Sequence, residues 1–328
     1  MDEVNLVKVL EILNEWWREE TIPEEELRAR VVLIFKNKGS SNNIDNYRPI
    51  SLTNSIYKIF TPILQKRLSD KIDPHLHRTQ YGFRKKRSTA HAIHIIRRLM
   101  DVGYRAGKQF TMVLLDWEKA FDKVDQETLH EALERMGIPL KYCNLIREIY
   151  KNPTFKIEID GQESGWKKQE TGIRQGCPLS PYLFIILMTV LFHDIHKDPT
   201  LEEELKEDRV LGAMFDEILY ADDTIIHSTS SDKVTKLLHK IQEEGEKYGL
   251  KLNKDKCEAM AIRGVTNVCF KEGGKVKEME ESRYLGCFLN NETSSKRELN
   301  KRMGDVFNTW KRLEVFWKHS DCDLRFKL

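Results

Sequence analysis

Three aspartates stand where acidic side chains could handle phosphate chemistry. Asp116 closes the apolar run Thr111 to Leu115, and Asp222 and Asp223 separate two short apolar stretches, Glu217 to Tyr220 and Thr224 to His227. Carboxylates a few ångströms apart repel, and one stays protonated unless a cation intervenes. Hard oxygen donors suit Mg²⁺, which keeps coordination positions for phosphate oxygens. Two such ions, about 3.5–4 Å apart, can activate a hydroxyl nucleophile and stabilise a departing pyrophosphate. Against this, an Asp-Asp pair at a hairpin tip is usually a solvated turn. Tyr220-Ala221-Asp222-Asp223 alone is therefore a weak pointer. The chemistry requires the two apolar units to be neighbours in one sheet.

The elements needed for that convergence are legible. Phe110 to Leu115 is a continuous apolar run, as expected of a central strand covered on both faces. Glu217 to Tyr220 and Thr224 to His227 read as a hairpin around Ala221-Asp222-Asp223. Around them, helices are expected at Val4 to Trp17, Ser51 to Leu68, from Ser88, Gln126 to Met136, Leu140 to Tyr150, from Pro178, and Asp232 to Tyr248. Gly137 stops one of them as a C-terminal cap. Val31 to Phe35 is a short strand followed by a polar loop, Asn37 to Asn46. Thr154 to Asp160 and Trp166 to Thr171 read as a hairpin around Asp160-Gly161, and short strands run on to Leu289. Ser295 to Lys318 is an amphipathic helix with Leu299, Met303, Val306, Phe307, Trp310, Leu313 and Trp317 on one side. Nothing after it would cover that face, so the chain is expected to stop partway into a further helical domain. Mixed strands and helices without βαβα alternation predict an α+β fold.

Composition narrows the class. Of 328 residues, 40% are hydrophobic and 32% charged, which suits a globular protein with a real core and excludes a disordered chain. The net charge of +2 announces no partner, but its distribution does. Pro74 to Met100 holds no acidic residue, while Arg78, Arg84, Lys85, Lys86, Arg87, Arg97 and Arg98 all fall there. A phosphate chain would feel that local field; a solvated loop is the plain alternative. Six cysteines form no CxxC pair and have no histidine at zinc-ligand spacing, which predicts a reduced intracellular protein, nuclear or cytoplasmic. The longest apolar run, Tyr182 to Phe192, is too short to cross a bilayer, so no membrane association is expected.

Seven segments in order give a more specific reading. They are Asn46-Tyr47-Arg48-Pro49-Ile50-Ser51-Leu52, Gln80-Tyr81-Gly82-Phe83-Arg84, Leu115-Asp116-Trp117-Glu118-Lys119-Ala120-Phe121-Asp122, Arg174-Gln175-Gly176-Cys177-Pro178-Leu179-Ser180-Pro181, Tyr220-Ala221-Asp222-Asp223, Gly249-Leu250-Lys251-Leu252-Asn253 and Tyr284-Leu285-Gly286. From about Arg28 to Leu289 the chain resembles the reverse transcriptases, and the first two wordings resemble the non-LTR, LINE-type retrotransposon branch. The resemblance implies a right-hand polymerase fold. An N-terminal extension and fingers would occupy residues 1–109, the palm 110–290, and a truncated, incomplete thumb 291–328. It implies an RNA-directed DNA polymerase that extends a DNA primer on an RNA template with dNTPs. Asp116, Asp222 and Asp223 would be catalytic, with Asp116 and Asp222 holding two Mg²⁺ ions, for which Mn²⁺ can substitute.

Further roles follow residue by residue from the resemblance. Phe121 would lie under the sugar of the incoming nucleotide, where a ring clashes with a 2′-hydroxyl. Lys36 and Arg48 match the fingers positions that hold the triphosphate, although Phe35 stands where many relatives have proline. Gln175 and Gly176 match the loop under the new base pair, with Gly176 allowing close backbone approach. Gln80 and the run Arg84 to Arg87 match a stretch facing the template, and Tyr284 and Gly286 a turn that grips the primer. Lys254 and Lys256 are candidates for protonating the leaving pyrophosphate.

Two other readings compete. An RNA-dependent RNA polymerase shares the palm, but Phe121 argues against it. A truncated retroelement remnant would be catalytically weak or only bind nucleic acid. The 115 residues before Asp116 are too few for an endonuclease as well as fingers, no Cys/His knuckle follows, and the stretch after Leu289 is short for a thumb.

Overall fold

The computed structural model describes residues 3–159, 161–210 and 212–320. The chain opens with helix α1 (Glu3–Glu19) and the short α2 (Glu24–Leu27), then strands β1 (Ala29–Phe35) and β2 (Tyr47–Thr53). These two strands pair antiparallel along their full length, from Ala29 opposite Thr53 to Phe35 opposite Tyr47. Here the expected helix from Ser51 is corrected: Ser51 to Thr53 belong to β2, and helix α3 covers Ser55–Ile72. Asn54 makes the break, its side chain accepting from the Ile56 amide at 3.1 Å as an N-cap. Helix α4 (Thr89–Arg105) begins as expected after Ser88, where Ser88 and His91 form a reciprocal capping box.

Strand β3 (Phe110–Leu115) leads to the short α5 (Ala120–Lys123), then α6 (Gln126–Arg135) and α7 (Leu140–Lys151). Next comes β4 (Thr154–Ile159), against which lie two short pieces, β5 (Gln162–Glu163) and β6 (Lys167–Lys168). The expected hairpin is thus split on its return side; its Asp160 lies outside the described residues. Helix α8 (Ser180–Ile195) is buried almost throughout. A helix apolar on every side belongs inside a core, and no described helix is long and apolar enough to cross a membrane. Helix α9 (Pro199–Glu207), capped by Asp198, was not expected. There follow β7 (Glu217–Tyr220), β8 (Asp223–Ser228), α10 (Ser231–Lys247), β9 (Glu258–Ile262), β10 (Lys277–Glu278), β11 (Glu281–Tyr284) and β12 (Cys287–Asn290). The last amphipathic segment breaks at Leu313 into α11 (Lys296–Arg312) and α12 (Glu314–His319).

Two five-stranded sheets organise the described residues, beside a small β11-β12 hairpin. One runs β2-β1-β4-β5, with β6 also on β4; the other runs β10-β9-β3-β8-β7. The second explains the apolar run of β3. Phe110 and Met112 face one core with Ile96, Met100 and Ile225, while Val113 and Leu115 face another with α8 and α10 side chains. Alternate residues of a strand point to opposite faces, so a strand covered on both sides must be apolar at every position. The apolar stripe of α11 stays open: Leu299, Met303, Val306, Phe307 and Trp310 are all exposed.

Candidate active site

The register of the second sheet brings the aspartates together. β3 pairs antiparallel with β8 from Thr111 opposite Ser228 to Leu115 opposite Thr224. One step further along that register sets Asp116 opposite Asp223, and paired strands lie about 4.7–4.9 Å apart. Tyr220 pairs with Asp223, so Ala221 and Asp222 form the two-residue turn between β7 and β8. The end of β3 is pinned on its other side. Asn253 donates its amide to the Asp116 carbonyl at 2.8 Å, and Trp117 bridges to Leu252. The buried Trp117 indole donates to Thr224 Oγ1 at 3.2 Å, tying the Asp116 segment to the start of β8.

The turn itself is held in a costly conformation. Ala221 has φ 57°, in the left-handed region that a non-glycine residue adopts at a cost of about 1–3 kcal/mol. Gln80 over-determines it. Its Oε1 accepts from the Ala221 amide at 2.9 Å and from the Gly82 amide at 2.8 Å, and its Nε2 donates to the Ala221 carbonyl at 3.4 Å. Gly82 lies so close that an added Cβ would sit 2.4 Å from the Ala221 backbone nitrogen. The segment Gln80 to Gly82 is therefore the backing plate of the Asp222–Asp223 turn.

The other expected positions are placed as follows. Gln80 is fully buried and Arg84 is 8% exposed, and both side chains are bonded to protein partners. Arg84 forks onto Asp73, with Nε to Oδ1 and Nη2 to Oδ2 both at 3.1 Å. Lys85 is bonded to Asp70 at 2.6 Å, and Arg87 donates to the Gln80 carbonyl at 3.0 Å. Tyr284 is also buried, its hydroxyl unpaired, while Gly286 stands exposed at the β11–β12 turn with φ 83°. Burial, and then the charge of Asp223, hold the Tyr284 phenol above its usual range. Lys254 is drawn away to Glu272 at 2.8 Å, whereas Lys256 Nζ lies 3.7 Å from Asp116 Oδ1.

One strap, Gly172 to Gly176, brings Phe121, Gln175 and the β1–β2 hairpin together. The Ile173 amide donates to the Phe121 carbonyl at 2.7 Å, and the Ser51 amide to the Gln175 carbonyl at 2.7 Å. The strap thus bridges β2 and the segment after Asp116. Gly172 and Gly176 allow it: an added Cβ would meet the Asp122 or Ser51 carbonyl oxygen at 2.6 Å. Phe121 stacks on Phe184 with centroids 4.7 Å apart. Gln175 Nε2 donates to Asp122 Oδ1 at 3.1 Å. Burial raises the Asp122 carboxyl while Lys119, Lys36 and Lys123 act to lower it, which sets these cations around it. Arg48 is opposite Ile34, two residues from Lys36, so both cations come from the same face of the β1–β2 hairpin. Lys36 donates to the Asp45 carbonyl at 2.8 Å, and Arg48 is exposed.

The aspartates share an electrostatic conflict. Burial raises Asp222, and Asp116 raises it further. Burial, Asp222 and Asp116 together push Asp223 up to about 6. Three oxygen donors that repel one another are the donor set a divalent cation relieves, and their hardness suits Mg²⁺. A raised carboxyl binds its proton more tightly in the folded state. Its contribution to stability is therefore present at low pH and lost as pH rises through about 6. In metal-free buffer at pH 7.5, Asp223→Asn is expected to melt higher than wild type, by on the order of a degree or two, because Asp223 opens β8 exposed to solvent and screening weakens the conflict. The gap should close towards pH 5 and on adding Mg²⁺. A wild-type melting curve above that of the variant at pH 7.5 would refute the crowding of these carboxylates.

Comparison with known proteins now adds the class. The family described as reverse transcriptase (RNA-dependent DNA polymerase) matches residues 35–289. The chain belongs to this family. It is 26% identical over 240 residues to the Pol polyprotein of the R2 element of Nasonia vitripennis, covering 73% of this chain and 22% of that protein. It is 26% identical over 310 residues to the RNA-directed DNA polymerase of the mobile element jockey of Drosophila funebris, covering 91% and 32%. These distant relatives are of the non-LTR retrotransposon kind that the motif wording predicted. The chain spans about a third or less of the length of such relatives. Among solved structures it is similar to apo telomerase from Candida tropicalis truncated from its C-terminal domain. The TM-score is 0.57 at 16% identity, covering 86% of this chain and 58% of that one, a likeness of fold.

Proposed function

We propose that this chain is an RNA-directed DNA polymerase that extends a DNA primer on an RNA template with dNTPs. The observation that carries the reading is the β3–β8 register, which continues to Asp116 opposite Asp223 at the edge holding Asp222. Asp116 and Asp222 would hold two Mg²⁺ ions, whose chemistry when bound is activation of a primer 3′-hydroxyl and neutralisation of charge at the leaving pyrophosphate. The protein's own part is positioning. Lys36 and Arg48 bring cations from the fingers strands towards the triphosphate, and Lys256 adds a third beside Asp116. Gln175 and Gly176 would form the floor under the new base pair, docked on β2 by the Ser51 bond. In this reading β1 and β2 belong to the fingers, the β10-β9-β3-β8-β7 sheet to the palm, and α11 to the start of a thumb.

Phe121 gives the reading its sugar specificity. Its ring is backed by Phe184 and cannot retreat easily, so a 2′-hydroxyl would collide with it. Phe121→Ala is expected to raise incorporation of rNTPs relative to dNTPs by at least about tenfold, since one lost steric exclusion of about 1.4 kcal/mol suffices. Single-nucleotide kinetics on an RNA template would check this, and an unchanged ratio would remove Phe121 from the sugar site. Extension of a DNA primer on RNA by the wild-type chain tests the activity. Nucleic-acid binding with steep salt dependence but no extension would select the non-catalytic remnant instead.

A further inference from the structure

A polar cluster behind β7 has no part in the nucleotide site. His77, from the loop after α3, His196, ending α8, and Glu217, opening β7, place one ligand atom each within 4.8 Å of one another. Both Nε2 atoms address the same carboxylate. His196 Nε2 lies 3.0 Å from Glu217 Oε2, and His77 Nε2 lies 3.5 Å from Oε1. Two atoms bonded at about 2.0–2.1 Å to one tetrahedral ion stand about 3.3 Å apart, so both separations suit a shared ion. The 3.5 Å contact is long for an ordinary N–H···O hydrogen bond.

The opposite ring nitrogens are held as metal-ligating histidines usually are. His196 Nδ1 is 3.0 Å from Glu202 Oε2, and His77 Nδ1 is 2.8 Å from Thr79 Oγ1. Those contacts fix the rings in an orientation that presents both Nε2 atoms to Glu217. The Glu217 side chain is 2% exposed, while those of His77 and His196 are 15% and 20% exposed. The cluster is thus closed at the carboxylate and partly exposed at the imidazoles. Charge agrees. Arg209 bonds Asp216 at 2.6 Å and Glu202 at 3.1 Å, so its guanidinium is occupied by those two carboxylates and leaves Glu217 to the histidines. Arg78 and Arg84 reach His77 only from the loop side, and Arg84 is occupied by Asp73.

We infer that His77, His196 and Glu217 form a second metal site, for a transition-metal ion of the Zn²⁺ class. Two imidazoles and one carboxylate select such an ion over Mg²⁺, which prefers an all-oxygen shell. The ion would clasp three distant parts of the chain. One is the loop leading into Gln80, one is β7 leading into Ala221, and the third is the end of α8. The site would therefore brace the catalytic turn from behind without touching substrate. Without an ion, the same contacts require His196 to be an imidazolium between Glu202 and Glu217. Burial opposes that charge, but bonds to the two glutamates outweigh it and push His196 up to about 9.

The test uses the full chain with Asp116, Asp222 and Asp223 all changed to Asn, stripped with a chelator. It is then titrated with Zn²⁺ or Co²⁺ in excess Mg²⁺. The expected result is one equivalent of Zn²⁺ bound, and a Co²⁺ complex with the strong visible absorption of four-coordination. His77→Ala should weaken binding by at least about 100-fold, and Glu202→Gln by about 10–100-fold through the second ligand shell. Loss of neither, or no bound equivalent at micromolar Zn²⁺, would overturn the proposal in favour of the imidazolium network. If His77→Ala fails to fold, the Co²⁺ spectrum of the chain with His77 intact decides: absence of four-coordinate bands overturns the site. Primer extension by the chain with native aspartates can fail or succeed independently of these readouts.

Discussion

Asp222→Asn should slow primer extension on RNA by at least about a thousandfold and leave the fold at least as stable as before. A thousandfold corresponds to about 4 kcal/mol of transition-state stabilisation. That is of the size lost when one preorganised electrostatic group is removed from an active site. Asparagine keeps the shape of the turn but removes a charged oxygen donor. Its stability effect runs the other way because Asp222 sits in a raised state, through burial and then the Asp116 charge. Removing the charge relieves both. Single-turnover extension and thermal unfolding on the same preparation separate the two effects. A variant that extends at a rate near wild type would exclude Asp222 from the chemistry.

Gly82→Ala should cost about a hundredfold in extension although Gly82 lies outside the chemistry. The new methyl would meet the Ala221 backbone nitrogen at 2.4 Å, and backbone cannot swing aside as a side chain can. Either the Gln80–Gly82 segment retreats, breaking the Gln80 bonds to Ala221, or the turn moves with Asp222 and Asp223. Displacement of catalytic groups by about 1 Å is enough for a hundredfold loss. The effect should fall on kcat more than on KM for dNTP, because Lys36 and Arg48 stand on a different sheet. Wild-type kinetics in Gly82→Ala would show that the backing segment does not set the position of the aspartates.

What the sequence made legible was local. The apolar run of β3, the two stretches around Asp222–Asp223 and the capped start of α4 each carry their own signal in neighbouring residues. Convergence of Asp116 with the turn stood in the sequence only as a condition of the chemistry and an implication of the family resemblance; the strand register supplies it. The β2 strand was misread because Ser51 to Leu68 has helical periodicity. Only the seven-residue pairing with β1 and the Asn54 cap show that the helix starts later. Tertiary pairing overrides local preference in this way.

The surroundings of Gln80 and Arg84 were out of reach for a related reason. Polar side chains in a basic, acid-free stretch look solvent-facing, yet Gln80 satisfies the amide and carbonyl of Ala221, 141 positions away. Nothing in spacing foretells such a bond. The same holds for His77, His196 and Glu217, whose separations match no metal-binding motif. Helix α9 is a different omission, since Asp198-Pro199 is a readable helix start.

Every catalytic role proposed above depends on Asp116 and Asp222 holding paired divalent ions at one sheet edge. Anomalous scattering from crystals of the chain grown with Mn²⁺, primer–template and a dNTP measures this most directly. Two Mn²⁺ peaks about 3.5–4 Å apart, bonded to Asp116 and Asp222, are expected. No peak at that edge, or an Asp116 carboxylate standing more than about 10 Å from Asp222, would contradict that arrangement.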